Sequence, residues 1–250
     1  MGEILEIEIV KIGSLPKNGI VIVGLPDIGL VGAISSSFLI KTFSMEEVAF
    51  LDSPKFPPIL VFHDTKPKAP VRLHADGDKV VLISEVPILP NQFTPLAKKI
   101  TSLVEEIEAK NLIMIGGIPA PNRIDIKKPK VYGAAILEKD KEKLKEVGVE
   151  LFKNGFIAGV YASILKECMK KKLPAIILLA ESYANYPDPG AAAAALEALS
   201  KLLGVSINVD PLLQQEEEIR LKLRELMQRT VNSLKASSKE YEYAVPLMYA

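Results

Sequence analysis

The chain has 250 residues, 48% of them hydrophobic and 25% charged, with 31 basic and 31 acidic residues. This length and apolar content suit one large domain with an appendage, and the balanced charge argues against a dedicated nucleic-acid-binding protein. The single cysteine, Cys168, excludes an intrachain disulfide and is typical of a reducing compartment. The N-terminus lacks the basic flank of a signal peptide, so we predict a cytoplasmic protein.

Residues 19–40 form the first long apolar stretch and carry one charge, that of Asp27. The length would allow a transmembrane helix. One proline and three internal glycines interrupt the stretch, however. We therefore predict a buried strand, a glycine-rich turn and a helix, and no contact with a membrane.

Short apolar or alternating runs predict the strands. In chain order these are residues 4–10, 20–23, 48–51, 59–62, 71–73, 80–84, 112–115, 131–136 and 175–179. Asp76-Gly77-Asp78 predicts a hairpin turn. Helical patterns cover residues 30–41, 93–110, 139–146, 156–169 and 190–203. Alternating strands and helices predict an α/β fold, and the closely spaced strands around residues 48–84 predict a mixed sheet.

Residues 212–234 form a different, highly charged segment, with acidic residues early and basic residues later, as the helix dipole favours. Its apolar residues form one stripe, and this stripe packs either on its own domain or in a helix–helix contact of an oligomer. The residues after it show no periodicity. We therefore divide the chain into an α/β domain (1–210), an amphipathic C-terminal helix (211–234) and a flexible tail (235–250).

The predicted glycine-rich turn contains Gly24, Asp27, Gly29 and Gly32. Backbone N–H groups in such a turn can bind a phosphate at the start of a helix. The alternative, which we favour, is tight packing of a strand against a helix. The spacing is neither that of a dinucleotide-binding motif nor that of a P-loop.

A second candidate ligand site lies at the predicted strand ends, where α/β folds commonly bind small molecules. Gly116 and Gly117 end one strand, and Glu181 ends another. Tyr183, Asn185 and Asp188 follow Glu181 closely. These residues either line a small pocket or form ordinary strand-to-helix turns, and we favour the turns.

The sequence contains no group of residues that we interpret as catalytic. The two histidines, His63 and His74, match no strong metal-ligand spacing. Cys168 lies on an amphipathic helix and is interpreted as a packing residue rather than a nucleophile. We therefore predict no metal, no cofactor and no enzymatic activity.

The last three residues, Met248, Tyr249 and Ala250, read hydrophobic–tyrosine–any residue. This is the form of the HbYX motif, with which proteasome activators dock on the proteasome core particle. A terminal carboxylate can be captured in a pocket because only a chain end offers it. The adjoining tyrosine adds rigid apolar area and a hydroxyl group.

The body of the chain resembles the archaeal proteasome assembly chaperone 2 family over roughly residues 5–225. The order and spacing of several motifs carry this resemblance. They are Gly24-Leu25-Pro26-Asp27-Ile28-Gly29-Leu30-Val31-Gly32, Phe56-Pro57-Pro58, Gly116-Gly117, Gly155-Phe156-Ile157-Ala158-Gly159 and Tyr186-Pro187-Asp188-Pro189.

The resemblance implies a three-layer, mixed-sheet α/β sandwich similar to the purine nucleoside phosphorylase fold, without established catalysis. It also implies a homo-oligomer that contacts the α-subunit ring of the proteasome as an assembly factor or activator. By the family's docking motif, Met248 would fill an apolar site, Tyr249 would contact the gate region, and the carboxylate of Ala250 would pair with a pocket lysine.

Two alternatives remain open from the sequence. The first is a phosphorylase-like small-molecule enzyme that uses the glycine-rich turn and the strand ends. The second is a structural oligomer whose tails are turned inward.

Overall fold

The computed structural model describes residues 7–236 of the chain. Its strands are β1 (Glu8–Lys11), β2 (Ile20–Gly24), β3 (Glu46–Asp52), β4 (Val61–His63), β5 (Lys66–Lys68), β6 (Val71–Asp76), β7 (Lys79–Ser84), β8 (Asn111–Pro119), β9 (Val131–Ala135), β10 (Glu150–Leu151) and β11 (Ala175–Ser182). Its α-helices are α1 (Val31–Thr42), α2 (Phe93–Glu106), α3 (Glu138–Glu146), α4 (Gly159–Lys171), α5 (Pro189–Leu203), α6 (Asp210–Gln214) and α7 (Glu216–Ala236).

Nine of these strands form one mixed sheet in the order β1-β3-β6-β7-β2-β8-β11-β9-β10. Strands β7, β2, β8 and β11 run parallel to one another at its centre. β6 and β9 join this centre antiparallel on either side. Strands β4 and β5 pair separately as a two-stranded hairpin. The predicted mixed α/β sheet is therefore confirmed.

Helices cover both faces of the sheet. Successive side chains of each central strand point to opposite faces, so each strand packs against helices on both sides. On β2, Val21 and Val23 join a hydrophobic cluster with residues of α2 and α4. The intervening Ile22 joins a second cluster with residues of α1 and α5. Central strands buried on both sides explain the continuous apolar runs of β2, β8 and β11 in the sequence.

Several predicted element boundaries differ from those in the structure. β8 continues through Gly116 and Gly117 to Pro119. The helix predicted from residue 156 begins at Gly159, because Ala158 before it is extended (φ −119°, ψ 174°) and Gly159 itself has a φ of +74°, a conformation that residues with side chains rarely adopt. The segment predicted as one C-terminal helix is divided into α6 and α7.

Helix α7 packs against its own domain. Its Met227 and Thr230 are buried, and Leu226 and Val231 pack against the cluster shared by α1 and α5. Near its end, the Ser233 hydroxyl donates a hydrogen bond to the Ile88 carbonyl oxygen (3.1 Å). This arrangement favours the first of the two interpretations of the apolar stripe.

Helix α7 also has a defined direction across the sheet. The Arg220 guanidinium near its start lies over the ring of Tyr183, which directly follows β11. Ser233 near its end contacts Ile88, which follows β7. At about 1.5 Å per residue the helix advances about 20 Å between Arg220 and Ser233, while three strand spacings from β11 to β7 amount to about 14 Å. We infer that α7 crosses the carboxyl ends of the four parallel strands.

Within residues 7–236, no helix combines the length and the apolar content needed to cross a membrane. The apolar stretch at residues 19–40 instead forms β2, a turn and α1, as predicted. The division at residues 210 and 234 and the likeness to the phosphorylase fold stay predictions.

We predict that Met227→Ala lowers the free energy of unfolding by about 2 kcal/mol or more, because it leaves a cavity under α7. Gln228→Ala, at the exposed neighbouring position, should change it by less than about 0.5 kcal/mol. Urea unfolding followed by circular dichroism measures both values. Equal, small effects would contradict the packing of α7 on the body.

Candidate functional site

The glycine-rich turn, residues 24–32, connects β2 to α1 and includes a short 3-10 helix, Ile28–Leu30. Two consecutive residues of this turn have positive φ angles, Gly29 at +60° and Leu30 at +53°. A leucine in this conformation costs about 1–2 kcal/mol relative to right-handed geometry, but its side chain is fully buried. Burial of an apolar side chain of this size offsets a cost of that magnitude.

The glycines of the turn allow it to contact the neighbouring elements directly. A Cβ atom on Gly29 would lie 1.8 Å from the Ser182 hydroxyl oxygen at the end of β11. A Cβ atom on Gly32 would lie 2.4 Å from the Ile115 carbonyl oxygen of β8. Protein atoms therefore fill the space beside the Cα atoms of Gly29 and Gly32.

Gly116 and Gly117 on β8 make close contacts from the other side. A Cβ atom on Gly117 would lie 2.4 Å from the Ile28 carbonyl oxygen, and one on Gly116 would lie 3.0 Å from the Tyr161 ring. Gly24 is equally constrained, since its Cβ would lie 2.2 Å from the Gly32 carbonyl oxygen. The two predicted glycine groups thus form one contact zone, which favours the packing interpretation of both.

Tyr161, on the first turn of α4, connects this zone by hydrogen bonds. Its hydroxyl donates to the Ile115 carbonyl oxygen (2.5 Å) and accepts from the Leu25 backbone N–H (2.8 Å). Complete burial and the negative charge of nearby Asp27 raise the pKa of Tyr161 well above its ordinary value of 10. The hydroxyl therefore stays protonated and acts as a structural donor.

Asp27 is buried beside a small cleft between the turn, the start of α4 and the last turns of α7. The cleft is also lined by Gly159, Thr230 and Ser233 and has a volume of about 10 Å³. That volume is close to the minimum that holds one water molecule. The cleft is thus far too small for a nucleoside or a nucleotide.

Asp188 lies at the centre of a second group of contacts and is fully buried. Its carboxylate accepts hydrogen bonds from Arg123 Nε (2.7 Å) and Nη2 (2.9 Å) and from the backbone N–H groups of Tyr183 (3.1 Å) and Ala191 (2.9 Å). Its own backbone N–H donates to the Gly29 carbonyl oxygen (2.8 Å). One residue therefore caps α5, holds the chain after β11 and fixes the glycine-rich turn.

The ring of Tyr183 extends this group toward the surface. The Arg123 guanidinium carbon lies 5.0 Å from the ring centroid, and that of Arg220 on α7 lies 5.6 Å from it. The exposed Tyr186 meets the Tyr183 ring edge to face, with a centroid distance of 6.5 Å. Cation–π contacts at this distance each contribute about 0.5–1 kcal/mol and help to fix the start of α7.

Glu181 does not join Asp188 in a common pocket. Its Oε2 accepts a hydrogen bond from the Lys130 backbone N–H (2.9 Å), and its Oε1 lies 3.4 Å from the Tyr132 hydroxyl. The carboxylate thus faces β9, whereas Asp188 faces Arg123 and the turn. The residues predicted at the strand ends therefore separate into two structural contacts.

The remaining candidate side chains do not form a chemical site in the part of the chain that the structure describes. His63 Nε2 lies 2.8 Å from Glu85 Oε1. Burial and nearby Arg72 lower the pKa of His74 to about 4. Burial raises the pKa of Cys168 to about 12, so its thiol is unreactive at neutral pH. Residues 7–236 contain no group of three or more potential metal ligands.

Sequence reasoning identified the glycines but missed Tyr161 and Arg123, which hold this region together. Each makes its key contact with a residue that is far away in the chain, Tyr161 with Leu25 and Arg123 with Asp188. No local pattern indicates such a partner. The predicted docking motif at residues 248–250 lies outside the described residues.

The chain belongs to the PAC2 family, whose model matches residues 21–227. It is 32% identical over 225 residues to the uncharacterized protein MJ0106 of Methanocaldococcus jannaschii, covering 90% of this chain and 92% of that protein. The resemblance predicted from the sequence motifs is therefore confirmed.

Two solved structures extend the comparison to proteins with a described role. Pyrococcus furiosus PbaA, an archaeal homologue of a proteasome-assembly chaperone, matches 91% of this chain and 99% of its own, with a TM-score of 0.85 and 28% identity. Pyrococcus furiosus PbaB, an archaeal proteasome activator, matches 89% and 99%, with a TM-score of 0.74 and 25% identity. The chain is thus a homologue of both proteins.

We predict that Gly29→Ala lowers the free energy of unfolding by about 3 kcal/mol or more, because the new methyl group meets Ser182 in a backbone conformation that is already strained. Gly148→Ala is the matched control, since Gly148 has a φ of +77° but no atom near its Cβ position. The control should lose only about 1 kcal/mol. Similar losses in urea unfolding would contradict the close contact.

We also predict that Asp188→Asn lowers the free energy of unfolding by about 3 kcal/mol or more, because it leaves the buried Arg123 charge without its counter-ion. Asp125→Asn, at an exposed position of the short 3-10 helix Arg123–Asp125, should change it by less than about 0.5 kcal/mol. Guanidinium unfolding of both variants measures the difference. A neutral effect of Asp188→Asn would refute the central role of this ion pair.

Proposed function

We propose that this chain is a non-enzymatic, homo-oligomeric factor that docks on the α-subunit ring of the proteasome through its C-terminal tail, in assembly, activation or both. One observation carries the proposal. A body homologous to PbaA and PbaB over about nine-tenths of its length is followed by the ending Met248-Tyr249-Ala250. Body and ending were identified from separate residues, and both indicate the same partner.

The close packing of the candidate ligand site supports a binding role rather than a catalytic one. The glycines that could have cradled a phosphate contact protein atoms instead. The cleft beside Asp27 has about the volume of one water molecule. An enzyme of small molecules usually needs a pocket of several hundred Å³.

The direction of α7 supports a role for the body in positioning the tail. The Ser233–Ile88 hydrogen bond and the buried Thr230 fix the last turns of α7 against the body. Fourteen residues follow Ala236 in the sequence, and a chain of that length has a maximum reach of about 46 Å. The body would thus fix the base of the tail at a point from which its end could reach the α-subunit ring of a proteasome.

The chemistry of the ending suits a pocket between proteasome α-subunits. Met248 would fill an apolar site, Tyr249 would contact the gate region, and the carboxylate of Ala250 would pair with a lysine. Each tail alone would bind weakly. Several tails on one oligomer would together bind much more tightly, because the binding of one tail holds the others at a high effective concentration near their pockets.

We predict that a chain ending at Leu247 loses binding to an archaeal proteasome core particle, because it lacks the tyrosine and presents its carboxylate three residues too early. Tyr249→Ala should weaken binding at least tenfold, a loss typical of a central interface tyrosine. Co-sedimentation with the purified core particle measures both.

Tyr243→Ala is the matched control, because it removes another tyrosine of the same tail and leaves the ending intact. It should bind like the parent chain. Circular dichroism and light scattering should show the same fold and mass for all variants. Binding of the truncated chain as tight as that of the parent would refute docking through the tail.

A further inference from the structure

The hairpin of β4 and β5 has an exposed apolar face. Phe62 on β4 lies directly opposite Pro67 on β5, and such opposite residues of an antiparallel pair share a face. Leu60, two residues before Phe62, lies on the same side of an extended chain. Leu60 is 62% exposed, Phe62 is 66% exposed, and Pro67 is exposed as well. Adjacent exposed apolar side chains indicate a binding surface, and we call these three residues the hairpin face.

The other face of the hairpin holds it against the main sheet. His63 on β4 contacts Glu85, which follows β7, with an N–O distance of 2.8 Å. Lys68 on β5 pairs with Glu47 on β3 at 2.7 Å. The hairpin face therefore points away from the sheet. These ion pairs fix it before any segment binds, which lowers the entropic cost of binding.

The hairpin leaves the sheet at the edge that α7 crosses. Strand β6 begins at Val71, which pairs with Ser84, the last residue of β7. Strand β3 runs antiparallel to β6, with Phe50 opposite Arg72 near its end. The end of β3 and the start of β6 thus lie beside the carboxyl end of β7. Because the hairpin connects β3 to β6, it projects from this edge.

Helix α7 is directed toward the hairpin. It crosses the carboxyl ends of the parallel strands from β11 to β7. Beyond β7, the sheet continues with β6 and β3, the two strands that the hairpin connects. Strand β3 lies two strand spacings, about 10 Å, from β7. The chain that leaves α7 therefore begins close to the hairpin.

A series of hydrogen bonds also connects the end of α7 with the segment that leads into the hairpin. Ser233 donates to the Ile88 carbonyl oxygen. The next residue, Leu89, donates its backbone N–H to Gln92 Oε1 (3.0 Å). Gln92 Nε2 donates in turn to the Lys55 carbonyl oxygen (2.5 Å). Gln92 is 1% exposed, so this connection is shielded from water and fixes both segments at one place.

The sequence that follows α7 offers a suitable occupant for the hairpin face. Tyr241 is five residues after Ala236, and five residues reach at most about 17 Å. That reach exceeds the lateral distance of about 10 Å between β7 and β3. Tyr241 stands between Glu240 and Glu242, so an aromatic ring has a carboxylate on each side of it in the chain.

The hairpin face has the complementary charges. Lys55 precedes it and Lys66 lies within it in the chain, and both are exposed. Within residues 7–236 neither lysine forms an ion pair, whereas Lys68 pairs with Glu47. Opposite charges around an apolar contact fix its register. Tyr243 fits less well, because it has Glu242 on one side but Ala244 on the other.

We propose that Tyr241 packs on the hairpin face of its own chain, with Glu240 and Glu242 paired with Lys55 and Lys66. Aromatic rings such as those of Tyr241 and Phe62 attract each other beyond the area that they bury. A link of five residues gives an effective concentration of millimolar order, so a contact that is weak between separate molecules is populated within one chain.

The contact leaves residues 242–250 free, including the ending that the proposed function uses. These nine residues reach at most about 30 Å from the hairpin. The hairpin, rather than the last turn of α7, would thus be the point from which the ending extends. The inference itself does not rest on docking to the proteasome, because it concerns the isolated chain.

Tryptophan fluorescence of the full-length chain tests the contact. The chain has no tryptophan, so Phe62→Trp introduces a single fluorophore at the hairpin face and keeps an aromatic ring there. Adding Tyr241→Ala should shift its emission to longer wavelength and increase the rate of acrylamide quenching at least twofold, because the indole ring becomes exposed to water. Tyr243→Ala in the same chain is the control, and it should leave both values unchanged.

Two results of this experiment would overturn the proposal. Emission at long wavelength that Tyr241→Ala leaves unchanged would show that nothing covers the hairpin face in the isolated protein. Emission at short wavelength that Tyr241→Ala leaves unchanged would show that another occupant, such as a second copy, covers it.

Joint refolding distinguishes a contact within one chain from a contact between copies. The Phe62→Trp chain is refolded from urea with a tenfold excess of the Tyr241→Ala chain, which has no tryptophan. A contact within one chain should keep the emission of the Phe62→Trp chain refolded alone. A shift to longer wavelength would refute it, because most neighbouring copies then lack Tyr241.

Charge exchange tests the register of the contact. In the Phe62→Trp chain, Glu240→Lys with Glu242→Lys should increase the quenching rate at least twofold. Adding Lys55→Glu and Lys66→Glu should restore the original rate, and no restoration would contradict the pairing. All of these values are measured without proteasome, so their failure is distinguishable from the failure of tail docking, which is measured on the core particle.

Discussion

The ion pair between Asp188 and Arg123 is the contact on which the arrangement of the surrounding elements depends. The Asp188 carboxylate is fully buried, so its charge is tolerated only because Arg123 and two backbone N–H groups surround it. The same residue fixes Gly29 of the turn through its backbone. The positions of α5, of the chain after β11 and of the turn are therefore set together.

At the carboxyl ends of the parallel strands, this arrangement supports helix α7 where other α/β folds often bind a ligand. In open α/β sheets, the carboxyl ends of parallel strands commonly form a ligand crevice. Here the glycine-rich turn packs directly on β8 and β11, and α7 crosses the strand ends, with Arg220 over Tyr183 at one end and Ser233 bonded to Ile88 at the other. The chain after α7 thus begins at a fixed point of the body. A protein that acts through its C-terminus needs such a fixed point, which connects the packing of the body with the proposed docking.

Much of the fold could be predicted from the sequence, because its central elements have strong local signals. Strand β2 is a continuous apolar run, and the Gly77 turn lies between the paired strands β6 and β7 as expected. The hairpin strand β5 and the two-residue β10 were missed, since such short segments have no periodicity. The glycines of the site were found through their spacing. The partners Tyr161 and Arg123 were not, because contacts between distant parts of the chain leave no local pattern.

The hydrolysis rate of a fluorogenic peptide by an archaeal proteasome core particle measures whether the tail opens the gate. The full-length chain should raise this rate, and a chain ending at Leu247, with the same fold and mass, should leave it at the basal level. Tail-dependent gate opening would explain both results. Equal stimulation by the two chains would contradict docking through the tail, because it would place the contact with the proteasome on the body rather than on the last three residues.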